Sequence, residues 1–460
     1  RGWLSSDVKG TAQGNSGGIT IDTANLTLEN GGYISADIYG KGNAGNIAIK
    51  ATQGVNVREN ALLSSTVFDT GEGDSGGITI DTSTLTLENG GFISADIYGK
   101  GNAGNIAIKA TQGVNVNIGG LLSSGVTATG EGNSGGITID TSTLTIENTG
   151  IISADIYGKG NAGNIAIKAS QGVNVRGWLS SDVKGTAQGN SGGITIDTST
   201  LTLENGGLIN ADIYGKGNAG KIEIQATEGV TVGGFLLSRV RDTGVGDSGG
   251  ITIDTSTLTL EKGGIIDAST FGKGDAGKIE IQATEGVNVR GWLSSDVKGT
   301  AQGNSGGITI DTSTLTLEKG GFIDASTFGK GDAGNIAIKA TQGVNVGGFL
   351  FSRVNDTAVG NSGGITIDTS TLTLEKGGFI DASKSGKGNA GNIAIRATEG
   401  VNVGGFLFSG VTDTGDGNSG GITIDTSTLT LENGGYIGAD TSGKGNAGNI
   451  AIRATEGVNV

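Results

Sequence analysis

A repeat of about 57 to 59 residues runs through the whole chain, and this period restricts the chain to a small number of folds. Its clearest marker is the triplet Ser-Gly-Gly, whose residue numbers advance in steps of 59 twice and then of 57 five times. The serines of these triplets are Ser16, Ser75, Ser134, Ser191, Ser248, Ser305, Ser362 and Ser419. The segments before the first and after the last complete one further repeat, which gives eight repeats, six of the shorter length and two of the longer. We therefore expect residues 1–460 to form one continuous solenoid, as a window on a longer array.

Each repeat is itself double, because Ile19 of GGITIDT corresponds to Ile47 of GNIAIKA half a repeat later. Each half holds three short segments of alternating apolar and polar residues, as in 19–22, 26–29 and 33–38, and glycine-rich corners separate them. This period of two predicts strands. One coil buries too little apolar surface to offset its loss of conformational entropy, so coils must stack. The sequence thus predicts an all-β fold, a single-stranded parallel β-helix (β-solenoid) of about 16 triangular coils. Each coil has three strands, and two coils make one repeat.

The composition excludes several classes of function. The chain contains no Pro, Cys, Met or His, and so lacks the thiolates and imidazoles of many catalytic and metal sites. Its net charge of −15 opposes the phosphate contacts of nucleic-acid binding, so we expect no nucleic acid as a partner. No run of about 18 apolar residues is present, so we expect no helical membrane insertion.

At one corner every coil reads Gly-Asn/Asp-Ser/Ala-Gly. Asn tolerates left-handed backbone and can hydrogen-bond to its equivalents along the stack, and the following glycine, such as Gly17 or Gly45, suits a corner with positive φ. These features predict a structural Asn/Asp ladder. In the first four repeats its members are Asn15, Asn43, Asp74, Asn102, Asn133, Asn161, Asn190 and Asn218. A calcium loop is the lesser alternative, since most members are Asn rather than Asp, and we otherwise expect no cofactor.

A second predicted ladder is ionic, because the Asp that follows each ITI segment corresponds to a basic residue in most of the neighbouring coils. Opposite charges about 4.8 Å apart on neighbouring strands attract, and a slip by one coil would set Asp against Asp. In the first three repeats this ladder is Asp22, Lys50, Asp81, Lys109, Asp140 and Lys168. Polysaccharide cleavage by paired acids is an alternative, but every acid recurs from repeat to repeat, so we expect no enzyme and no catalytic residue.

A third column is apolar, since the first outward residue of every third segment is large and apolar. Long exposed apolar stripes usually mark contact surfaces, so we predict a contact stripe. Its aromatic members are Trp3, Tyr33, Phe92, Trp178, Phe235, Trp292, Phe322, Phe349, Phe379, Phe406 and Tyr436. The equal alternative is that these side chains fold around the glycine corner and cover the edge of the core.

The motifs GNAGNIAIKA, GNSGGITIDTSTLTLENGG and ISADIYGKGNAGNI closely resemble the C-terminal repeats of cyanobacterial filamentous-haemagglutinin-like surface proteins. These are two-partner secretion exoproteins, often labelled S-layer family, and the resemblance covers essentially the whole chain. It implies a right-handed β-helix, export across an outer membrane, and a role in adhesion or as an extracellular fibre.

These observations predict a non-catalytic structural subunit of an extracellular or cell-surface filament, which associates with itself end to end. They leave lateral association open. The alternative is a cell-surface adhesin that binds glycans or another cell through the aromatic stripe or through the variable loops after the third segment.

Overall fold

The computed structural model of the chain describes residues 2–355, 358–412 and 415–460, and these residues form parallel strands and no helix. Their contacts divide the chain into two compact units. The first comprises Arg1–Thr227 with Gly234–Leu237, and the second comprises Glu228–Gly233 with Ser238–Val460. Within the described ranges, no helix is long and apolar enough to cross a membrane.

Long and short strands alternate along the chain. The short strands are β1 Trp3–Ser5, β3 Tyr33–Ser35, β5 Leu62–Ser64, β7 Phe92–Ser94, β9 Leu121–Ser123, β11 Ile151–Ser153, β13 Trp178–Ser180, β15 Leu208–Asn210, β17 Phe235–Leu237, β19 Ile265–Asp267, β21 Trp292–Ser294, β23 Phe322–Asp324, β25 Phe349–Phe351, β27 Phe379–Asp381, β29 Phe406–Phe408 and β31 Tyr436–Gly438. The long strands are β2 Ile19–Leu28, β4 Ile47–Arg58, β6 Ile78–Glu88, β8 Ile106–Val116, β10 Ile137–Ile146, β12 Ile165–Val175, β14 Ile194–Leu203, β16 Ile222–Val232, β18 Ile251–Leu260, β20 Ile279–Val289, β22 Ile308–Leu317, β24 Ile336–Val346, β26 Ile365–Leu374, β28 Ile393–Val403, β30 Ile422–Leu431 and β32 Ile450–Asn459.

Each strand pairs in parallel with the equivalent strand of the next turn. In the first unit one sheet has the order β1-β3-β5-β7-β9-β11-β13-β15-β17 and the other β2-β4-β6-β8-β10-β12-β14. In the second unit the sheets are β19-β21-β23-β25-β27-β29-β31 and β18-β20-β22-β24-β26-β28-β30-β32. Ile19 lies opposite Ile47, and Ile47 lies opposite Ile78. The predicted fold class is therefore confirmed as a parallel β-solenoid of about 16 turns.

The first two predicted segments of each turn form one continuous long strand that changes register at its middle. In the pairing of β4 with β6, the ladder passes through Ala51 and Thr82 and resumes at Gly54 and Thr84. The hydroxyl of Thr82 donates to the carbonyl oxygen of Thr84 (3.2 Å), which holds this irregularity. The third predicted segment is a three-residue strand followed by an isolated bridge, at Ile38 in the second turn.

The core is a set of aliphatic columns, because the inward position of a turn carries the same kind of side chain as the turn below. In the second turn Ile38, Ile47 and Val55 are fully buried. Burying one such side chain contributes roughly 1.5–3 kcal/mol. Each turn is covered mainly by its two neighbours, so stability accumulates turn by turn.

The glycines of the Asn corner differ from the sequence prediction. The positive φ lies at the first glycine of the motif, such as Gly14 (φ 143°) and Gly42 (φ 137°), and not at Gly17 or Gly45. Gly45 is required for a different reason, since a Cβ there would collide with the carbonyl oxygen of Gly17. Turns approach so closely at this corner that backbone lies directly on backbone.

Candidate functional site

The predicted Asn/Asp ladder is present, and its bonds connect side chain to backbone. The Oδ1 atom of each member accepts the backbone N–H of the next member, as in Asn43 N to Asn15 Oδ1 (2.8 Å) and Asp74 N to Asn43 Oδ1 (2.9 Å). The same bond joins the other predicted members up to Asn218 in the first unit. It recurs from Asp247 to Asn446 in the second. The ladder satisfies backbone donors at the corner and therefore has a structural role.

The ionic ladder has the predicted register. Asp22 lies opposite Lys50, and Lys50 opposite Asp81. Lys109 lies opposite both Asp81 and Asp140, and Asp140 also lies opposite Lys168. Nevertheless, among the residues that the structure describes, these six side chains form no ion pair of 4.0 Å or less, because all are exposed and extend into solvent. An equivalent pair further along, Asp311 with Lys339, does approach to 3.7 Å. The ladder is thus a register of alternating charges rather than a set of close ion pairs, and its contribution to stability is small.

The aromatic stripe follows the outer face of the short-strand sheet, and its members differ in exposure. Trp3, Trp178, Phe235, Trp292, Phe406 and Tyr436 are exposed, by 77% at Trp3 and 37–50% at the others. Tyr33, Phe92, Phe322, Phe349 and Phe379 are half-buried. Both sequence interpretations therefore apply, each to a part of the stripe.

In the second unit six aromatic side chains lie in contact along consecutive turns. The ring centroids are 5.2 Å apart for Trp292 and Phe322 and 4.6 Å for Phe322 and Phe349. The column continues through Phe379 and Phe406 to Tyr436, with separations of 5.4, 5.0 and 5.9 Å. Stacked pairs of this kind stabilise neighbouring turns by about 0.5–1.5 kcal/mol beyond their buried area.

Beside the stripe lies a column of buried aspartates that the sequence analysis did not identify. Asp37 illustrates it, because its Oδ1 accepts the hydroxyl of Ser64 (2.6 Å) and the backbone N–H of Thr66 (2.8 Å), both from the next turn. The Tyr33 hydroxyl, 3.2 Å from Asp37 Oδ2 and 3.4 Å from the Tyr39 hydroxyl, covers it from outside. The buried members are Asp37, Asp96, Asp155, Asp182, Asp212 and Asp296, and Asp267 is buried in the adjacent column, at the position equivalent to Ser294.

Burial changes the acidity of this column. Loss of hydration raises the pKa of Asp37 to about 6, although the hydrogen bonds from Ser64 and Thr66 oppose the rise. Burial likewise raises the pKa of Asp96. It also raises the pKa of Asp182, where the charge of Asp155 adds to the effect. The folded chain therefore binds protons at these sites more tightly than the unfolded chain does.

This acidity predicts that the protein becomes more stable between pH 7.5 and pH 5. Asp37 has a folded pKa of about 6 against an ordinary value of 3.8, so its contribution to stability is full below pH 3.8 and is lost as pH rises through 6. Asp37 alone should then add about 1 kcal/mol on acidification to pH 5. Urea unfolding followed by circular dichroism at the two pH values measures the effect.

Asp37→Asn is the matched variant for this experiment, and its unfolding midpoint should depend less on pH over the same range. The interval stops at pH 5 because Arg176 and Arg290 lower the pKa of Glu204 and Glu318, and their contributions are lost at lower pH. A wild-type midpoint that falls steadily from pH 7.5 to pH 5 would contradict the prediction.

Two cavities open on the face that carries the stripe and the aspartates. The cavity in the first unit has a volume of about 570 Å³ and is lined by Trp3, Asp7, Lys9, Tyr33 and Tyr39 among others. The cavity in the second unit has a volume of about 420 Å³, and its lining includes Trp292, Asp296, Lys298, Phe322, Phe328 and Arg353. Each combines aromatic rings with carboxylates and cations.

The cations of the second cavity contact acids and rings, both of the cavity and of its surroundings. Lys298 Nζ lies 3.7 Å from Asp296 Oδ2 and 5.4 Å from the centroid of the Phe271 ring. The Arg353 guanidinium lies 3.6 Å from the centroid of the Phe351 ring and 3.4 Å from Asp381 Oδ2. Burial raises the pKa of Asp296, and the charge of Asp324 adds to this rise. Burial also raises the pKa of Asp324, although its hydrogen bond with Ser326 and the charges of Arg353 and Lys298 oppose the rise.

In the described part of the chain, no group of three or more acidic, His or Cys side chains is arranged to hold a metal ion. No family model, no curated protein and no solved structure matches the chain. Arguments about function therefore rest on the geometry above.

Proposed function

We propose that the chain is a non-catalytic structural subunit of an extracellular or cell-surface filament, which grows by stacking of β-solenoid turns. The observation that carries the proposal is the uniform interface between turns. An Ile of one turn lies opposite an Ile of the next, and an Asp lies opposite a basic residue in several repeats. At the corner, the Asn side chain accepts the backbone N–H of the equivalent Asn or Asp in the next turn. A second copy can therefore continue the stack with the contacts that the chain already makes internally. The resemblance of the motifs to exported surface proteins supports an extracellular location.

The test is concentration-dependent assembly of the full chain, followed by negative-stain electron microscopy and sedimentation. In a polypeptide of residues 1–460, Ile450 and Ile452 of β32 belong to the inward columns yet are 44% and 42% exposed, and a second copy stacked on β32 would cover them. We expect filaments one solenoid wide in the wild type, and none in Ile452→Lys, because burying an unpaired charge costs several kcal/mol.

The matched control is Ala451→Lys, since Ala451 is adjacent in sequence but faces outward, where a lysine stays in solvent. This variant should assemble like the wild type. A wild-type chain that stays a folded monomer at every concentration would refute end-to-end stacking, and equal assembly of the two lysine variants would place the contact elsewhere.

A second candidate, adhesion to glycans or to another cell, is favoured by the exposed rings of the stripe. Flat aromatic faces that are half exposed, such as those of Trp178 and Trp292, offer apolar contact area to a partner. Attachment of the purified chain to intact cells, with and without substitutions in the stripe, tests this candidate independently of filament growth.

A further inference from the structure

The two cavities are products of one short sequence. The octapeptide Trp-Leu-Ser-Ser-Asp-Val-Lys-Gly, here called the WLSSDVKG turn, occurs at residues 3–10, 178–185 and 292–299. The Trp, the first Ser, the Asp, the Lys and the Gly of the first copy line the first-unit cavity. The same five positions of the third copy line the second-unit cavity. A site that arises twice from the same residues is built by that sequence.

The turn that follows supplies the aromatic walls. After the first copy these are Tyr33 and Tyr39, and after the third copy they are Phe322 and Phe328 at the equivalent positions. After the second copy the first of these positions is Leu208. In the first and third copies, then, a Trp from one turn and two rings from the next surround the polar groups.

The second-unit cavity is lined by two acidic and two basic side chains. Asp296 and Asp324 provide acceptors, while Lys298 and Arg353 provide donors. The Arg353 guanidinium is fixed against the Phe351 ring, and its buried Nε–H has no hydrogen-bond acceptor among the described residues. The site thus offers both hydrogen-bond donors and hydrogen-bond acceptors, already oriented.

The chemistry of this lining selects among ligands. A purely apolar ligand would leave the Arg353 Nε–H without a hydrogen-bond acceptor, which is costly once water is displaced. An anion would meet two carboxylates, and a cation would meet Lys298 and Arg353. A sugar ring combines an apolar C–H face, which packs on aromatic rings, with hydroxyls that both donate and accept hydrogen bonds. The volume of about 420 Å³ also lies within the range of small-molecule sites.

We infer that each aromatic-walled WLSSDVKG turn binds one ring of a neutral saccharide, which stacks on the Trp and hydrogen-bonds to the Asp and Lys of the cavity. This inference rests on the second candidate function, adhesion through the stripe, and does not depend on filament growth.

The experiment titrates the full chain by calorimetry with neutral tetrasaccharides of glucose, mannose, galactose and xylose, and with a polyuronate tetrasaccharide as the charged comparison. Trp3→Ala and Trp292→Ala should each remove about one binding site, and the double variant should bind at least about tenfold more weakly. Because both side chains are at least half exposed, the fold should persist, which circular dichroism checks.

Phe406→Ala is the matched control, since Phe406 belongs to the same stripe and is 42% exposed but does not line either cavity. It should bind like the wild type. If a neutral saccharide binds the wild type and the double variant equally, the cavity assignment is wrong while adhesion through the stripe stands. Binding of the polyuronate alone would overturn the neutral ligand class. No binding by any probe at millimolar concentration overturns the inference, and attachment to intact cells then decides the adhesion candidate separately.

Discussion

Replacing Gly160 by alanine is expected to lower the free energy of unfolding of the first unit by about 4 kcal/mol or more. Only a few kinds of substitution have effects of this size. Gly160 has a φ of 136°, which residues with a Cβ rarely adopt. In addition, its Cβ would collide with the carbonyl oxygen of Gly132 in the turn below. The collision is with backbone, so no side-chain rotation can relieve it, and the two turns must separate at the Asn corner.

Gly185→Ala is the matched control, because Gly185 also has a positive φ (62°) but a Cβ there would meet nothing within 4 Å. Only backbone strain remains, which costs about 1 kcal/mol, and Gly185→Asn should cost less still. Urea unfolding can be followed by the fluorescence of Trp178, the next turn's tryptophan, in a background where Trp3 and Trp292 are Phe. If Gly160→Ala and Gly185→Ala unfold at the same urea concentration, close backbone stacking does not hold the turns together.

The register of the solenoid could be predicted because each repeat contains two similar half-repeats, and each half-repeat forms one turn. Ile19 opposite Ile47 and Asp22 opposite Lys50 follow directly from aligning the two half-repeats. A stack of parallel strands admits few other arrangements, since a slip of one residue would turn every buried side chain outward. The Asn corner was predictable for the same reason, although the acceptor role of Oδ1 toward the next backbone N–H required coordinates.

The buried aspartate column was not predicted from the sequence. In YISADI the alternation places Asp37 outward, and outward acids are normally solvated. The sequence does not show that the side chains of Tyr33 and Tyr39 pack over Asp37. This packing buries a carboxylate that would otherwise face solvent. The WLSSDVKG cavities depend on the same contacts between a residue and a ring one turn away. Predicting them needs the directions of side chains as well as their alternation.

Lys384→Met is expected to stabilise the second unit by about 3 kcal/mol at pH 7. Lys384 stands at an inward position that carries Ile38 in the second turn and Thr327 in another, so it is fully buried between Val354 and Val411 of the adjacent turns. Its Nζ has no hydrogen-bond partner among the described residues. Burial lowers the pKa of Lys384 to about 8 against an ordinary 10.5, and the charge of Asp332 only partly opposes this change.

The pH dependence identifies the cause of that gain. Below pH 8 lysine is protonated in both states, so the folded state bears the full cost of the buried charge and the advantage of Met is largest. Between pH 8 and 10.5 only the unfolded lysine is protonated, so the advantage shrinks as pH rises, and above 10.5 both states are neutral and it is lost. Urea unfolding followed by the fluorescence of Trp292, with Trp3 and Trp178 replaced by Phe, reports on the stability of this unit.

Lys387→Met is the control, because Lys387 is three positions away and exposed. It should change the free energy of unfolding by no more than about 0.5 kcal/mol at any of these pH values. A Lys384→Met advantage that stays constant from pH 7 to 11 would mean that the gain comes from shape alone and that the buried amine carries no electrostatic cost.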